Sequence, residues 1–175
     1  SLPLDGHNGI IGHFLQANEN IKIQWYETQT CTEDNLKNSD IVYITAISHA
    51  SGAQFDFERF KKSKKENQCW VVDACQYLPV LQFDMQNTAA DVVFFSTHKT
   101  YGTYGMAPLL INENFKHYFD SEAKCAGENP IHKTFCGSTN IPGLFTSCTL
   151  LKWVQENIYQ KNMILKSQTS KFWLI

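Results

Sequence analysis

Three stretches of the chain are almost unbroken runs of apolar residues: Asp40–Ser48 (DIVYITAIS), Gln68–Cys75 (QCWVVDAC) and Asp91–Thr97 (DVVFFST). Short runs of this kind, rich in β-branched and aromatic side chains, predict strands covered on both faces, as in a parallel sheet. Ile21–Glu27 (IKIQWYE) instead alternates apolar with polar positions, which predicts a half-buried or edge strand. Pro108–Asn112 (PLLIN) predicts a fifth strand, its proline at the first position, where a missing ladder donor matters least. Phe55–Gln68 (FDFERFKKSKKENQ) sets three phenylalanines against a dense charged face and predicts an amphipathic helix, so that strand, helix and strand form a βαβ crossover. Asn8–Asn20 predicts a helical turn or two. Gly143–Lys161 predicts a longer helix, with Leu144, Leu151, Val154 and Ile158 near helical spacing. The pattern is α/β: a mostly parallel sheet with flanking helices.

In such sheets ligands bind where loops converge at the carboxyl ends of the strands. The unusual polar residues fall at those ends: Ser48-His49-Ala50-Ser51-Gly52 after one strand, Asp73 and Gln76 after the next, Ser96-Thr97-His98-Lys99 after the third. Three strand ends of this kind predict one site.

Composition narrows the class. The chain has 175 residues, 43% hydrophobic and 13% aromatic, enough for one domain, or most of one, with a real core. A net charge of −2 argues against a general nucleic-acid binder. No apolar run is long enough for a membrane helix, and no basic-then-apolar signal opens the chain. The six cysteines form no CxxC pair, which favours free thiols of a cytoplasmic protein over a disulfide framework. His7, His13 and His49 lack the spacing of a compact metal motif, so no metal is expected.

Asp73 ends a buried apolar run, where an unpaired carboxylate is costly. Taken alone it reads equally well as a turn residue satisfied by backbone amides, Lys99 as a solvated loop lysine, and His98 as a packed histidine. Together they suit pyridoxal phosphate, which needs a lysine for its aldehyde, a carboxylate for its ring nitrogen, and hydroxyls and N–H groups for its phosphate.

The segments WVVDACQYLPV and ADVVFFSTHKTYGTYGMAPLLI carry a further signal. A strand ending D-x-x-Q, followed by A-D-hydrophobic-S-x-H-K, resembles the class V aminotransferase family, closest to the cysteine desulfurases and selenocysteine lyases. GHNGII, VYITAISHAS and FCGSTNIPGL are similar to outer segments of that family. The resemblance implies the large domain of a fold-type-I pyridoxal-phosphate transferase, incomplete here, over residues 1–161, with 162–175 beginning a linker or small domain, or forming a disordered end. It implies Lys99 as the Schiff-base lysine, Asp73 as partner of the ring nitrogen, and Gln76 at the phenolic oxygen. It further implies His7 stacked on the ring, Ser96 and His98 at the phosphate, and Ser138 reaching the phosphate of a neighbouring subunit in a homodimer. Lys99 and His7 are then the catalytic pair. The implied reaction removes sulfur from L-cysteine as an enzyme persulfide, leaving alanine, for iron–sulfur cluster assembly or thiolation, with a scaffold protein as possible sulfur acceptor. Another lyase, aminotransferase or epimerase of the class, or a degenerate non-catalytic relative, remains open.

The sequence also departs from the family pattern. The Ser-Asn after the second strand reads Ser51-Gly52 here, and G-P-x-G reads Gly102-Thr103-Tyr104-Gly105. The sole arginine, Arg59, lies in the charged segment, so the substrate-binding arginine and the sulfur-accepting cysteine are expected beyond Ile175, and this piece alone is expected to be inactive. Cys75, beside Gln76, reads as a packing residue.

Overall fold

The structure is a computed structural model that describes residues 1–16, 21–118 and 140–159. Four strands form the main sheet in the order β3 (Ile41–Thr45), β4 (Cys69–Asp73), β5 (Val92–Phe94) and β6 (Leu109–Ile111). The first three pair in parallel and β6 closes one edge antiparallel. A two-stranded parallel ladder, β1 (Leu2–Pro3) with β2 (Trp25–Tyr26), lies beside β3. The three apolar runs and Pro108–Asn112 thus contain the main strands, shorter than the runs themselves.

Paired residues in a parallel sheet point to the same face, so the register separates the two faces. Val42 and Ile44 on β3, Trp70 and Val72 on β4 and Val93 on β5 share one face and are fully buried. Phe55, Phe57 and Phe60 cover them, with Phe55 edge-on to Trp70 at 6.1 Å. Burying each such side chain stabilises the fold by about 1.5–3 kcal/mol. The opposite face carries Tyr43, Val71 and Val92 in one row and Thr45, Asp73 and Phe94 in the next.

The crossover between β3 and β4 differs from its expectation. In place of a helix across Phe55–Gln68 there is one turn, α3 (Phe57–Phe60), and a 3-10 turn at Lys61–Ser63. Phenylalanines at i, i+2 and i+5 do not share a helical face. Phe55 remains in extended chain, its N–H donating to the Ala46 carbonyl, and Asp56 caps the turn by accepting from Arg59 N at 3.0 Å. The Ile21–Glu27 strand shrinks to its two residues on β2, and Ile21 itself is exposed.

Helix α1 (Asn8–Gln16) follows its expectation as far as the described residues go. Two short helices were not anticipated: α2 (Glu33–Lys37) and α4 (Met85–Thr88). Asp84 caps α4 by accepting from the N–H groups of Gln86 and Asn87. Helix α5 (Ile141–Val154) runs on into a π turn at Gln155–Tyr159. Its buried positions are Gly143, Ser147 and Val154, whereas Leu144 is exposed, so this helix approaches the body through small residues. Among the described residues no helix is long and apolar enough to cross a membrane.

Candidate functional site

The carboxyl ends of β3, β4 and β5 lie side by side, because Thr45 pairs with Asp73 and Asp73 with Phe94. The three side chains form one wall of a cavity of about 250 Å³. His7, His49, Cys75, Gln76, Ser96 and Lys99 complete its polar surface. Another hollow of about 390 Å³, beside Phe57 and Tyr77, is lined by carboxylates and amides and offers no amine.

Each polar group reaches the cavity for a local reason. Asp73 is the last residue of β4 and 6% exposed. Its Oδ1 accepts the Cys75 N–H at 2.9 Å and its Oδ2 the Tyr43 hydroxyl at 3.3 Å. Lys99 sits half-buried in a 3-10 turn, Thr97–Thr100, that follows β5 directly. Thr97, wholly buried, pins that turn: its hydroxyl donates to the carbonyls of Thr103 (2.6 Å) and Met106 (3.1 Å). Tyr101, at φ 65°, ends the turn in the left-handed region.

The glycine after it has a steric reason. A Cβ on Gly102 would stand 2.9 Å from both Cβ and the carbonyl oxygen of Thr97 and 3.1 Å from Ser147 Oγ on α5. The lysine turn and α5 therefore meet through a residue without a side chain.

His7 precedes α1, and its Nδ1 accepts the Gly9 N–H at 3.2 Å, so the imidazole is held at the helix start. Ser48, buried after β3, joins that segment to the sheet: its hydroxyl donates to the Asp5 carbonyl and accepts from the N–H groups of Ala50 and Ser51. The result brings the His7 and His49 rings to 5.4 Å.

Cys75 also lines the wall, its thiol 3.7 Å from Ser96 Oγ. Burial, with the Asp73 carboxylate as second cause, pushes that thiol up to about 11. A thiol held so far above neutrality is a poor nucleophile.

Five of the seven expected site residues, His7, Asp73, Gln76, Ser96 and Lys99, thus share one cavity. His98 does not: its ring is exposed and stacks on Tyr104 at 4.7 Å and 9°, outside the cavity wall. Ser138 lies outside the described residues. The Ser51-Gly52 pair forms an exposed turn away from the cavity, and the residue of that loop in the wall is His49. Sequence reading places His49 only within the polar strand end Ser48–Gly52, with no role of its own, and does not single out Thr45 at all. Position was the available signal for both: His49 directly follows an apolar run, and Thr45 is a polar residue inside one.

Thr45 gives the test of fit for a bound cofactor. It is 4% exposed, lines the cavity, and its Oγ1 has no hydrogen-bond partner. A buried hydroxyl left unpaired costs about 1–3 kcal/mol unless something in the cavity satisfies it. An amine, a carboxylate, an amide, two imidazoles and two hydroxyls around one slot match the donor and acceptor demands of pyridoxal phosphate.

Comparison with known proteins agrees on the architecture. The chain superposes on a NifS-like protein from Rickettsia africae with a TM-score of 0.74 at 20% identity, covering 95% of this chain and 50% of the other. It superposes on a cysteine desulfurase from Thermococcus onnurineus with a TM-score of 0.61 at 25% identity, covering 71% and 34%. The fold is therefore that of the fold-type-I pyridoxal-phosphate enzymes. The "Probable cysteine desulfurase" of Mycoplasma genitalium is 26% identical over 150 residues, covering 77% of this chain and 37% of the relative. That of Pyrococcus abyssi is 32% identical over 90 residues, covering 50% and 22%. The "Aminotransferase class-V" family model matches residues 6–174. The chain belongs to that family, whose members are pyridoxal-phosphate enzymes. It spans well under two thirds of the length of these relatives.

Proposed function

We propose that this chain is the cofactor-binding part of a cysteine-desulfurase-like enzyme that removes sulfur from L-cysteine, leaving alanine and an enzyme persulfide for iron–sulfur or thiolation pathways. The observation that carries this reading is a half-buried amine at Lys99 and a buried carboxylate at Asp73 facing one cavity. Pyridoxal phosphate bound there would supply an electron sink for a carbanion at the substrate's α-carbon.

The residues would divide the work. Lys99 carries the cofactor's aldehyde and, when free, offers a base for the α-proton. Asp73 keeps the ring nitrogen protonated, because a carboxylate beside it favours the charged form. Gln76 would serve the phenolic oxygen and His7 would pack on the ring, both being in the cavity wall. Ser96 contributes a hydroxyl to the phosphate. Ser138 is assigned to the same phosphate from a homodimer partner, whereas His98 would have to leave its stack on Tyr104 to reach it. Cys75 is a packing residue, and the sulfur-accepting thiol is a different one. A cytoplasmic location is supported by the free cysteines among the described residues.

The test uses the full-length protein. Adding pyridoxal phosphate should produce a visible absorbance band that Lys99→Ala lacks, and L-cysteine with excess dithiothreitol, which reduces the enzyme persulfide, should then yield sulfide and alanine. Protein that stays colourless with cofactor overturns the reading. A band without sulfide release would assign the cavity to another lyase, aminotransferase or epimerase of the class.

A further inference from the structure

Residues two apart on a strand share a face, so Tyr43 lies one step beneath Thr45 on the cavity side of β3. Its ring is 3% exposed and packs between Phe14, edge-on at 6.0 Å, and Phe94, tilted at 6.1 Å. Its own carbonyl accepts the Tyr26 hydroxyl at 2.7 Å. Held in this way, the phenol reaches past Thr45 to Asp73 Oδ2 on the neighbouring strand, while the Cys75 N–H takes Oδ1.

We infer that Tyr43 is a positioning residue that orients the Asp73 carboxylate toward the cavity through the Tyr43 hydroxyl. The inference rests on the cofactor reading of the cavity given above. A carboxylate is free to rotate about its two side-chain torsions. Donors on both oxygens, one from the backbone and one from a rigid phenol, leave it a single orientation. Each oxygen of an ionised carboxylate has two acceptor sites, so a ring nitrogen can still be served. Burial, then the Asp73 charge, raise the phenol far above its ordinary range, so the donor keeps its proton at any working pH. Tyr43 is not part of the cavity wall and acts only through Asp73.

The test compares pyridoxal phosphate with a carbocyclic analogue in which CH replaces the ring nitrogen, titrated into the full-length protein by absorbance. Tyr43→Phe keeps the packed ring and should weaken pyridoxal phosphate about tenfold, the effect of one charge-assisted hydrogen bond. The analogue should bind the variant as it binds the parent, and in an Asp73→Ala background Tyr43→Phe should change nothing further. Unchanged cofactor affinity, equal loss for both compounds, or an additive loss with Asp73→Ala each overturns the inference while leaving the cofactor site standing. A parent protein that binds neither compound overturns both. If Tyr43→Phe does not fold, a ring-fluorinated tyrosine at position 43 keeps shape and hydroxyl but alters donor strength. The ratio of the two affinities must then move, and a constant ratio refutes the positioning role.

Discussion

Cys75 and Thr45 show how little a residue's type says without its surroundings. Cys75 adjoins Gln76 and lines the cavity, yet burial and the Asp73 carboxylate push its thiol up to about 11. Iodoacetamide at pH 7.5 should therefore modify exposed Cys148 well before Cys31, Cys69 or Cys75, as read by mass spectrometry of tryptic peptides. Cys75→Ala should retain cofactor binding, measured by the same absorbance titration. A sequence shows that a thiol stands beside a site residue and two positions after a carboxylate, but not the burial that is the main cause of its weak acidity. Lys99 and Asp73 were legible because their spacing to strand ends is local. Thr45 was hidden within an apolar run, since only the register reveals that it pairs with Asp73 and faces the same way.

At the scale of elements, the lysine turn and the crossover behaved differently. The sequence shows a glycine three residues after Lys99, but not why Gly102 is needed there. The reason is the approach of Ser147 and Thr97, one of them from a distant helix. Gly102→Ala should destabilise the protein by about 1–3 kcal/mol through this overpacking. Gly12→Ala, in α1 with nothing within 4 Å of the new methyl group, should stabilise it by about 0.5–1 kcal/mol. Thermal unfolding of the two variants compares them directly. The crossover misled because hydrophobic content was read as helical period. Its phenylalanines instead wrap a strand exit and one capped turn over Trp70.

At the scale of the whole molecule, a buried ion pair among the described residues joins the crossover to the centre of the sheet. Lys64 Nζ contacts Asp91 Oδ2, and that carboxylate also accepts the Trp70 N–H at 2.7 Å. Lys64 additionally donates to the Ala89 carbonyl at 2.8 Å. Lys64→Ala would strand a carboxylate that is 4% exposed and should cost about 3–5 kcal/mol, measured by urea unfolding. The pH dependence follows from the thiols of Cys31, Cys69 and Cys75, each raised by burial from 9.0 to about 11. Above pH 9 the unfolded chain releases these protons while the folded one keeps them, so stability is full below 9 and declines as pH rises toward 11. Unfolding midpoints at pH 8, 9 and 10 should fall in that order.

The positions of the main strands along the chain, their burial and the placing of polar residues at their carboxyl ends were determined by the chain itself, because they arise from local hydrophobic runs and the residues that end them. Tertiary structure decided which of those polar residues face a common space. His49 stands in the wall and His98 outside it, Thr45 hides an unpaired hydroxyl, and Tyr43 grips Asp73 from the adjoining strand. Such facts depend on strand register and side-chain direction between segments far apart in the chain, which no local pattern encodes.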